Sequence, residues 1–224
     1  NVSGGIYTAT GATAVLGGGL SVVGGTYQAD GTVLVDGGNL SVNSGFFNAA
    51  LTTTVTSGNL TLNGTGIYTA TGATLVNGGN LLVNAGTTYN ANGTTDVVAG
   101  LLRVNGGIYA AAGATVVSGA GLLQLSLGAY NALTTTLVSG GELNVAVGGT
   151  YTATGTTTVT AGLIAILGGD YVANDVTNVQ ATGILRVTTG IYTANAATIV
   201  AGGQLDIAGG TYMAGADITV NGGV

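Results

Sequence analysis

The most informative absences in this 224-residue sequence are Cys, Pro, His and Trp, which do not occur at all. Without Cys or His, the chain can form no disulfide, no reactive thiolate, no Ser–His–Asp triad and no ordinary zinc site. Its only basic side chains are Arg103 and Arg186, and its formal net charge is −6. We therefore expect no electrostatic binding to nucleic acid. The missing Pro and the missing three-residue glycine period exclude collagen.

Glycine and hydrophobic residues make up most of the chain. There are 44 Gly residues, so glycine is several-fold above its usual share of about 7 %. Hydrophobic residues account for 46 % and charged residues for 4 %, which is the reverse of the composition of a disordered chain. No apolar run approaches the length of a transmembrane helix, so we expect no membrane insertion. The composition predicts a folded chain with many tight corners.

The aromatic residues reveal an internal repeat. All ten Tyr residues, together with one Phe, form a single series in which neighbours are always 20 or 21 residues apart. Ten intervals from first to last span 205 residues, so the mean period is 20.5. The members of the series are Tyr7, Tyr27, Phe47, Tyr68, Tyr89, Tyr109, Tyr130, Tyr151, Tyr171, Tyr192 and Tyr212. A fixed period of this length is typical of a repeat architecture.

Other positions are conserved relative to each aromatic residue within the chain. Two residues on, every repeat has Ala, and eight residues on, every repeat has Val. Six residues on, nine repeats have Thr, and the exceptions are Val33 and Ile218. A Leu or Ile follows thirteen or fourteen residues on, with another aliphatic two residues later, as in Leu20 and Val22. Within each run the spacing of two is the period of a β-strand.

Each repeat therefore contains three short strands, Tyr-x-Ala, Thr-x-Val and Leu-x-Val, separated by corners of Gly, Asn, Ser or Asp. We predict an all-β fold, a parallel β-solenoid wound as a right-handed β-helix, with about eleven rungs of 20–21 residues. Residues 1–224 form one repeat array, which we expect to be a segment of a longer chain or a fibre subunit. At the usual spacing of parallel strands the rod would be about 50 Å long.

The repeated positions predict columns of side chains that run up the rod. We expect the aromatic, Ala, Val and Leu columns to face inward, although a corner that shifts parity would turn the aromatic residues outward. The predicted core columns include Tyr7, Tyr27, Phe47, Tyr68, Ala9, Ala29, Val15, Val35, Leu20 and Leu40. At one corner we predict an asparagine ladder formed by Asn43, Asn63, Asn84 and Asn105. On the outer surface, Arg186 and Asp206 are expected to form a salt bridge.

The distribution of acidic residues argues against an enzyme. Acid–base catalysis needs clustered carboxylates, whereas the eight acids here are spread along the rungs, and only two pairs are close in sequence: Asp30 with Asp36, and Asp170 with Asp175. The Gly-Gly pairs lack the spaced Asp of calcium-binding nonapeptide repeats. We therefore predict no catalytic residue, no cofactor site and no metal site.

The recurring motif Gly-Gly-x-Tyr-x-Ala-x-Gly-x-Thr-x-Val-x-Gly-Gly-x-Leu-x-Val resembles the β-helical passenger repeats of large secreted bacterial proteins. These families are the autotransporter adhesins and the filamentous-haemagglutinin-like exoproteins. The resemblance covers the whole chain through composition and period, and it carries no catalytic residue. It implies a structural role in a rigid extracellular or cell-surface filament or adhesin stalk, with the protein secreted.

Three further features concern partners. Open end rungs predict end-to-end self-association, and outward residues such as Leu34, Leu75 and Leu137 suggest lateral packing between rods or a covering glycan. Asn-x-Ser/Thr sequons, which permit N-linked sugar, occur at Asn1, Asn39, Asn59, Asn63 and Asn92. An alternative function is ice binding through Thr-rich strand faces, for which the runs 52–54, 134–136 and 156–158 are candidates. The Thr column has the same strand parity as the inward Val column, so its side chains are expected to point into the core. This disfavours ice binding.

Overall fold

A computed structural model describes all residues, 1–224, as strands, turns and bends with no helix. Strands pair in parallel with those of the next rung, and on the three faces a residue has its partner 20 or 21 positions along the chain. Tyr7 is opposite Tyr27, and Tyr68 is opposite Tyr89. This arrangement confirms the predicted parallel β-solenoid. Its right-handed winding stays a prediction.

Nine short strands form the first three rungs. They are β1 (Ile6–Ala9), β2 (Thr13–Val15), β3 (Gly19–Val22), β4 (Thr26–Ala29), β5 (Val33–Val35), β6 (Asn39–Val42), β7 (Phe46–Ala49), β8 (Thr53–Val55) and β9 (Asn59–Leu62). Each strand has three or four residues, and the three strands of a rung correspond to the three predicted runs.

Later rungs contain longer strands. They are β10 (Ile67–Ala70), β11 (Thr74–Asn84), β12 (Thr88–Ala91), β13 (Thr95–Asn105), β14 (Ile108–Ala111), β15 (Thr115–Ser126), β16 (Ala129–Ala132), β17 (Thr136–Ala146), β18 (Thr150–Ala153), β19 (Thr157–Ala173), β20 (Thr177–Gln180), β21 (Ile184–Ala194), β22 (Thr198–Ala201), β23 (Gln204–Ile207), β24 (Thr211–Ala214) and β25 (Ile218–Asn221). Several of these strands are longer than the short strands predicted from the sequence, because the corner residues also pair between rungs. Ala99 and Gly100 pair with Ala120 and Gly121 after a register shift.

The strands make three faces. The aromatic face contains β1, β4, β7, β10, β12, β14, β16, β18 and β24, with the C-terminal parts of β19 and β21. The threonine face contains β2, β5, β8, β20, β22 and β25, with the N-terminal parts of β11, β13, β15, β17 and β19. The leucine face contains β3, β6, β9 and β23, with the remaining parts of the long strands. Each face is a stack of parallel strands along the rod axis.

One continuous core of 46 buried hydrophobic residues runs along the inside of the rod. Strand residues alternate between buried and partly exposed, so Tyr68 and Ala70 are buried while Thr69 between them is half-buried. The aromatic rings face inward in the interior rungs, as do the Ala, Val and Leu columns. Of the ten residues named for the predicted columns, seven are buried, and Ala29, Val35, Leu40, Phe47 and Tyr68 are 0 % exposed.

The first rung departs from this pattern. Tyr7 is 53 % exposed, so its assignment to the buried core is wrong, whereas Ala9 and Leu20 are half-buried and pack against the core. A residue in a solenoid is covered by the rungs on both sides of it. The first rung is covered by a second rung on one side alone. Val15 of the first rung and Tyr27 of the second rung remain buried at 6 % exposure each.

Corner geometry explains the abundance of glycine. Gly58 has φ of +78°, a left-handed conformation that glycine adopts without a steric penalty. A Cβ on Gly58 would also clash with the carbonyl oxygen of Gly38 in the preceding rung. Leu127 and Ala181 are the non-glycine residues with positive φ, and their neighbours one rung away, such as Gly106, Gly148 and Gly202, have left-handed backbones too.

Candidate functional site

The central feature of the molecule is a stack of eleven aromatic rings along the rod. Successive ring centroids lie 4.7–5.2 Å apart, which follows the strand spacing. From Tyr27 to Tyr212 the angle between neighbouring ring planes is 12° or less, whereas Tyr7 is tilted by 31° against Tyr27. The stack therefore runs without a break through every rung, and it loosens at the first.

A second column is built from hydroxyl groups. Nine Tyr hydroxyls are hydrogen-bonded to the Thr of the rung before, and eight of these bonds measure 2.8–3.0 Å. The pairs are Thr13–Tyr27, Thr53–Tyr68, Thr74–Tyr89, Thr95–Tyr109, Thr115–Tyr130, Thr136–Tyr151, Thr157–Tyr171, Thr177–Tyr192 and Thr198–Tyr212. Both columns were predicted from the sequence, but this contact between them was not. Each bond joins two rungs and gives a buried phenol a partner.

The one rung with Phe instead of Tyr has a matching change below it. Phe47 has no hydroxyl, and the position that would bind one holds Val33, which is 1 % exposed. The two exceptions in the sequence thus meet at one level of the core. With Phe47 above it, a Thr at position 33 would have no Tyr hydroxyl to bind. With Val33 below it, a Tyr at position 47 would place its hydroxyl against methyl groups. Replacing both partners avoids an unpaired buried polar group.

Burial keeps the stacked phenols neutral. The pKa of Tyr109 is raised well above its usual value, first by burial and then by the neighbouring Tyr130 and Tyr89. The hydroxyls of Thr95 and Thr74 act in the opposite direction. The same cause raises the pKa values of Tyr68, Tyr89, Tyr130, Tyr151, Tyr171 and Tyr192.

Asparagine ladders occupy the corners, with one correction to the prediction. Asn63 donates from Nδ2 to Asn43 Oδ1 at 3.1 Å, and Asn84 donates to Asn63 at 2.9 Å. Asn105 does not extend this ladder: the backbone bridge at this corner joins Asn84 to Gly106, and the Asn105 side chain is exposed. Its inclusion in the ladder was therefore wrong.

Two further asparagine ladders were not predicted. Asn59 donates to Asn39 at 2.8 Å, and Asn80 donates to Asn59 at 2.9 Å. Asn195 donates to Asn174 at 2.8 Å. The signal for the first of these was present in the sequence, because Asn39, Asn59 and Asn80 all follow their aromatic residue by twelve positions. Each ladder adds side-chain hydrogen bonds along the rod axis, parallel to those of the backbone.

Charged side chains lie on the outside. Arg186 Nε donates to Asp206 Oδ2 at 2.8 Å, and the two side chains are 40 % and 30 % exposed. An exposed pair of this kind contributes at most about 1 kcal/mol. Arg103 Nε donates to Gln124 Oε1 at 2.9 Å. No three acidic side chains lie together in a way that could hold a metal ion.

The clefts of the molecule are open and lie at its ends and corners. One lies beneath the first rung, where Tyr7, Thr13 and Leu20 are among its walls. Another follows a glycine corner from Gly119 to Leu163. Neither brings together paired carboxylates or another set of reactive groups.

The outer strand surfaces carry a mixture of side chains. In each of the three Thr runs, one hydroxyl belongs to the buried column: Thr53, Thr136 or Thr157. The outward position between the buried Thr and Val varies from rung to rung, with Leu75, Asp96 and Val116 in succession. No regular outward Thr array results. Among the sequons, Asn39, Asn59 and Asn63 have amides engaged in ladders, whereas Asn1 and Asn92 are exposed.

The structure contains no helix with the length and apolarity that a membrane span requires. No protein-family model matches the sequence, and no curated protein matches it. Among solved structures, the chain is similar to a TibC-catalyzed hyper-glycosylated fragment of TibA, with 19 % identity, a TM-score of 0.38 and 97 % of each chain covered. At that TM-score the likeness transfers neither a function nor a partner to this chain.

Proposed function

We propose that this chain is a structural protein, a rigid rod within an extracellular or cell-surface filament or adhesin stalk. The observation that carries the proposal is the unbroken register of the core. Every ring from Tyr7 to Tyr212 stacks on the next, and all three faces keep the same strand pairing. A solenoid in which each rung contacts its neighbours alone grows in length without changing its cross-section. A rod of this kind is suited to act as a spacer or stalk.

The direction of the hydrogen bonds supports a mechanical role. Backbone bonds between rungs run along the rod on three faces at once, and the asparagine ladders and Tyr–Thr pairs run in the same direction. Separating two rungs breaks all of these together. A pulling force along the axis is therefore resisted by many bonds at each level rather than by a single one.

The proposal includes the absence of catalysis and of a bound cofactor. The Tyr and Thr hydroxyls of the interior are paired with each other, and the carboxylates lie apart on the surface. Secretion is supported by the resemblance of the repeats to passenger regions of secreted bacterial adhesins. Trypsin has two target residues, Arg103 and Arg186, and both lie within paired strands. A rod with these properties suits an environment rich in proteases.

Association between rods is part of the proposal. End-to-end association would continue the parallel strand pairing that joins each rung to the next. Half-buried outward residues such as Leu75, Val116 and Leu137 offer apolar contacts along the side of the rod. End-to-end contacts would lengthen the filament, and lateral contacts would bundle it.

Two measurements test this function. Electron microscopy of the purified chain at neutral pH should show stiff rods about 50 Å long, or filaments with an axial repeat of about 4.8 Å. Gold-labelled antibodies against the folded rod should then decorate intact cells of the source organism, with an antibody against a cytoplasmic protein as the control. Labelling that appears after permeabilisation alone would refute the surface role, and flexible or compact particles would refute the rod.

A further inference from the structure

The charged side chains are divided unevenly among the faces of the rod. The outer surface of the leucine face carries two bases and two acids, so its net charge is zero: Arg103, Arg186, Glu142 and Asp206. The other six acids lie on the remaining faces and at corners, where no basic side chain accompanies them. They are Asp30, Asp36, Asp96, Asp170, Asp175 and Asp217. Two copies of this rod therefore repel each other least when their leucine faces meet.

Two of the four charges on the leucine face have no opposite charge within their own chain. Arg186 is bonded to Asp206, and this is the one salt bridge of the structure. Arg103 is exposed, and its Nε donates to the amide oxygen of Gln124, which leaves both Nη groups without a carboxylate. Glu142 is half-buried and forms no salt bridge. Arg103 and Glu142 lie two rungs apart, about 10 Å along the axis, so they do not meet within one rod.

Glu142 interrupts an outward column of aliphatic side chains. In successive rungs, this column holds Leu101, Leu122, Glu142, Leu163 and Ile184. All five residues are half-buried, so aliphatic carbon is partly exposed to solvent on both sides of the carboxylate. A second surface laid on this column would remove aliphatic groups from water, which is favourable. It would also desolvate the carboxylate, so the covering surface must bring a cation to the same place.

The order of the charges along the rod decides how two copies can meet. Identical chains most often associate about a two-fold axis, through the same surface on both. If the rods are parallel, each rung meets its own copy, and Arg103 lies opposite Arg103 of the second copy. If the rods are antiparallel with the axis at the rung of Leu122, the rung of Arg103 meets the rung of Glu142. This contact occurs twice by symmetry, with Leu122 against its own copy between the two.

We propose that the leucine face binds a second copy of this chain as an antiparallel pair, in which Arg103 of each rod is bonded to Glu142 of the other. This inference rests on the lateral association included in the proposed function, and it names the face, the direction and the contacts. The aliphatic column supplies affinity through burial. The two ion pairs set the direction and the register, because any other register leaves Glu142 against aliphatic side chains without a cation.

An exchange of charges in the full chain tests this contact. Sedimentation equilibrium at neutral pH and constant ionic strength gives the dissociation constant of the pair. Arg103→Glu alone, or Glu142→Arg alone, sets like charges opposite each other at both contacts, so the dissociation constant should rise by at least about ten-fold. The double variant restores opposite charges and should restore association. An equimolar mixture of the two single variants should also associate, because each supplies the charge that the other has lost.

Asp96→Arg is the matched control. It changes the net charge by the same amount as Glu142→Arg, but Asp96 lies on the threonine face of the rung that contains Arg103. This variant should not weaken the association of the unchanged chain. Mixed with Arg103→Glu, it should not restore association. Circular dichroism and thermal unfolding establish that every variant keeps the fold, which is expected because all of the substituted side chains are on the outer surface.

A chain that stays monomeric up to about 0.1 mM would overturn the proposal. Association that persists unchanged in both single variants would show that another surface joins the rods. Recovery in the double variant without recovery in the mixture would mean that the two charges act within one chain, and it would refute the contact between copies. None of these outcomes alters the length of a rod or its display on cells. Failure here is therefore distinguishable from failure of the proposed structural role, which microscopy and cell labelling measure.

Discussion

The level of the core where Phe47 lies above Val33 differs from the levels where Tyr lies above Thr. Ring stacking is the same in both: Phe47 lies 4.8 Å from Tyr27 and 4.7 Å from Tyr68, with planes within 11°. The hydroxyl column, by contrast, is interrupted at this level and resumes with the pair Thr53–Tyr68. Ring stacking and hydroxyl pairing are thus two separate interactions between neighbouring rungs. The hydroxyl pair can be absent where both of its residues are replaced together.

The comparison also shows what each interaction contributes. Stacked rings and branched side chains repeat in every rung and supply stability without distinguishing one rung from another. A buried pair of hydrogen-bonded hydroxyls contributes little net stability. Replacing one member by an apolar residue, however, leaves the other hydroxyl buried without a partner, which is destabilising. The Tyr–Thr levels are therefore expected to fix which rungs follow each other, and the Phe47–Val33 level is the natural site at which to test this.

The largest expected effect is alkaline unfolding of the Tyr–Thr levels. The pKa values of seven buried Tyr residues are raised above the unfolded value of about 10. Since the neutral phenol is the form that the fold favours, this stability is complete below pH about 10 and is lost as the pH rises toward the folded pKa values. Tyrosinate absorbance and the β-sheet circular dichroism signal should change together well above pH 10. Ionisation of these rings at ordinary pH with the sheet intact would contradict the burial.

The next largest effect is expected from a charge placed inside a Tyr–Thr level. Val117→Asp would bury a carboxylate without a partner and should destabilise the fold by about 4 kcal/mol or more. Val116→Asp is the matched control, because Val116 is half-buried on the outer surface next to Asp96. Thermal unfolding of both variants measures the difference. Equal stability of the two would show that the Val column does not face inward.

A double-mutant cycle at the Phe47–Val33 level should show an intermediate effect. Phe47→Tyr alone buries a hydroxyl against Val33 and should cost about 1–3 kcal/mol. Adding Val33→Thr should recover most of this loss, which gives a coupling energy of similar size. Denaturant unfolding at neutral pH measures all four corners of the cycle.

The mirror-image cycle at a Tyr–Thr level provides the control. Thr95→Val and Tyr109→Phe should each destabilise the chain, and the combination should cost less than the sum of the two. Additive losses in both cycles would mean that the hydroxyls act independently of each other.

The smallest expected effect concerns the asparagine ladder. Asn63 is bonded to both Asn43 and Asn84, so Asn63→Ala should destabilise the fold by about 1 kcal/mol. Asn105→Ala, at the equivalent corner but outside the ladder, should leave the stability unchanged. A shift in unfolding temperature of the same size for both variants would argue against the ladder as a source of stability.

Much of the fold follows from the period of 20.5 residues. The series of aromatic residues sets the number of rungs, and the spacing of two within each run predicts the strands and their burial in the interior rungs. Local sequence was a poorer guide where contacts depend on position in the stack. Tyr7 has the same neighbours in sequence as Tyr68, yet it is exposed because a rung covers it on one side alone. Asn105 matches Asn84 in register, yet its side chain takes no part in the ladder.

Period and parity are properties of the chain alone, so the repeat, the parallel solenoid and the identity of the core columns could all be predicted without the fold. Val33 and Phe47 were visible as exceptions in two different columns, fourteen residues apart. That Val33 and Phe47 lie at the same level of the core becomes apparent in the folded structure. A Tyr hydroxyl lies several bonds from the backbone, so its partner depends on how the ring leans across to the threonine face of the preceding rung. That lean arises from packing between rungs, and no spacing along the chain encodes it directly.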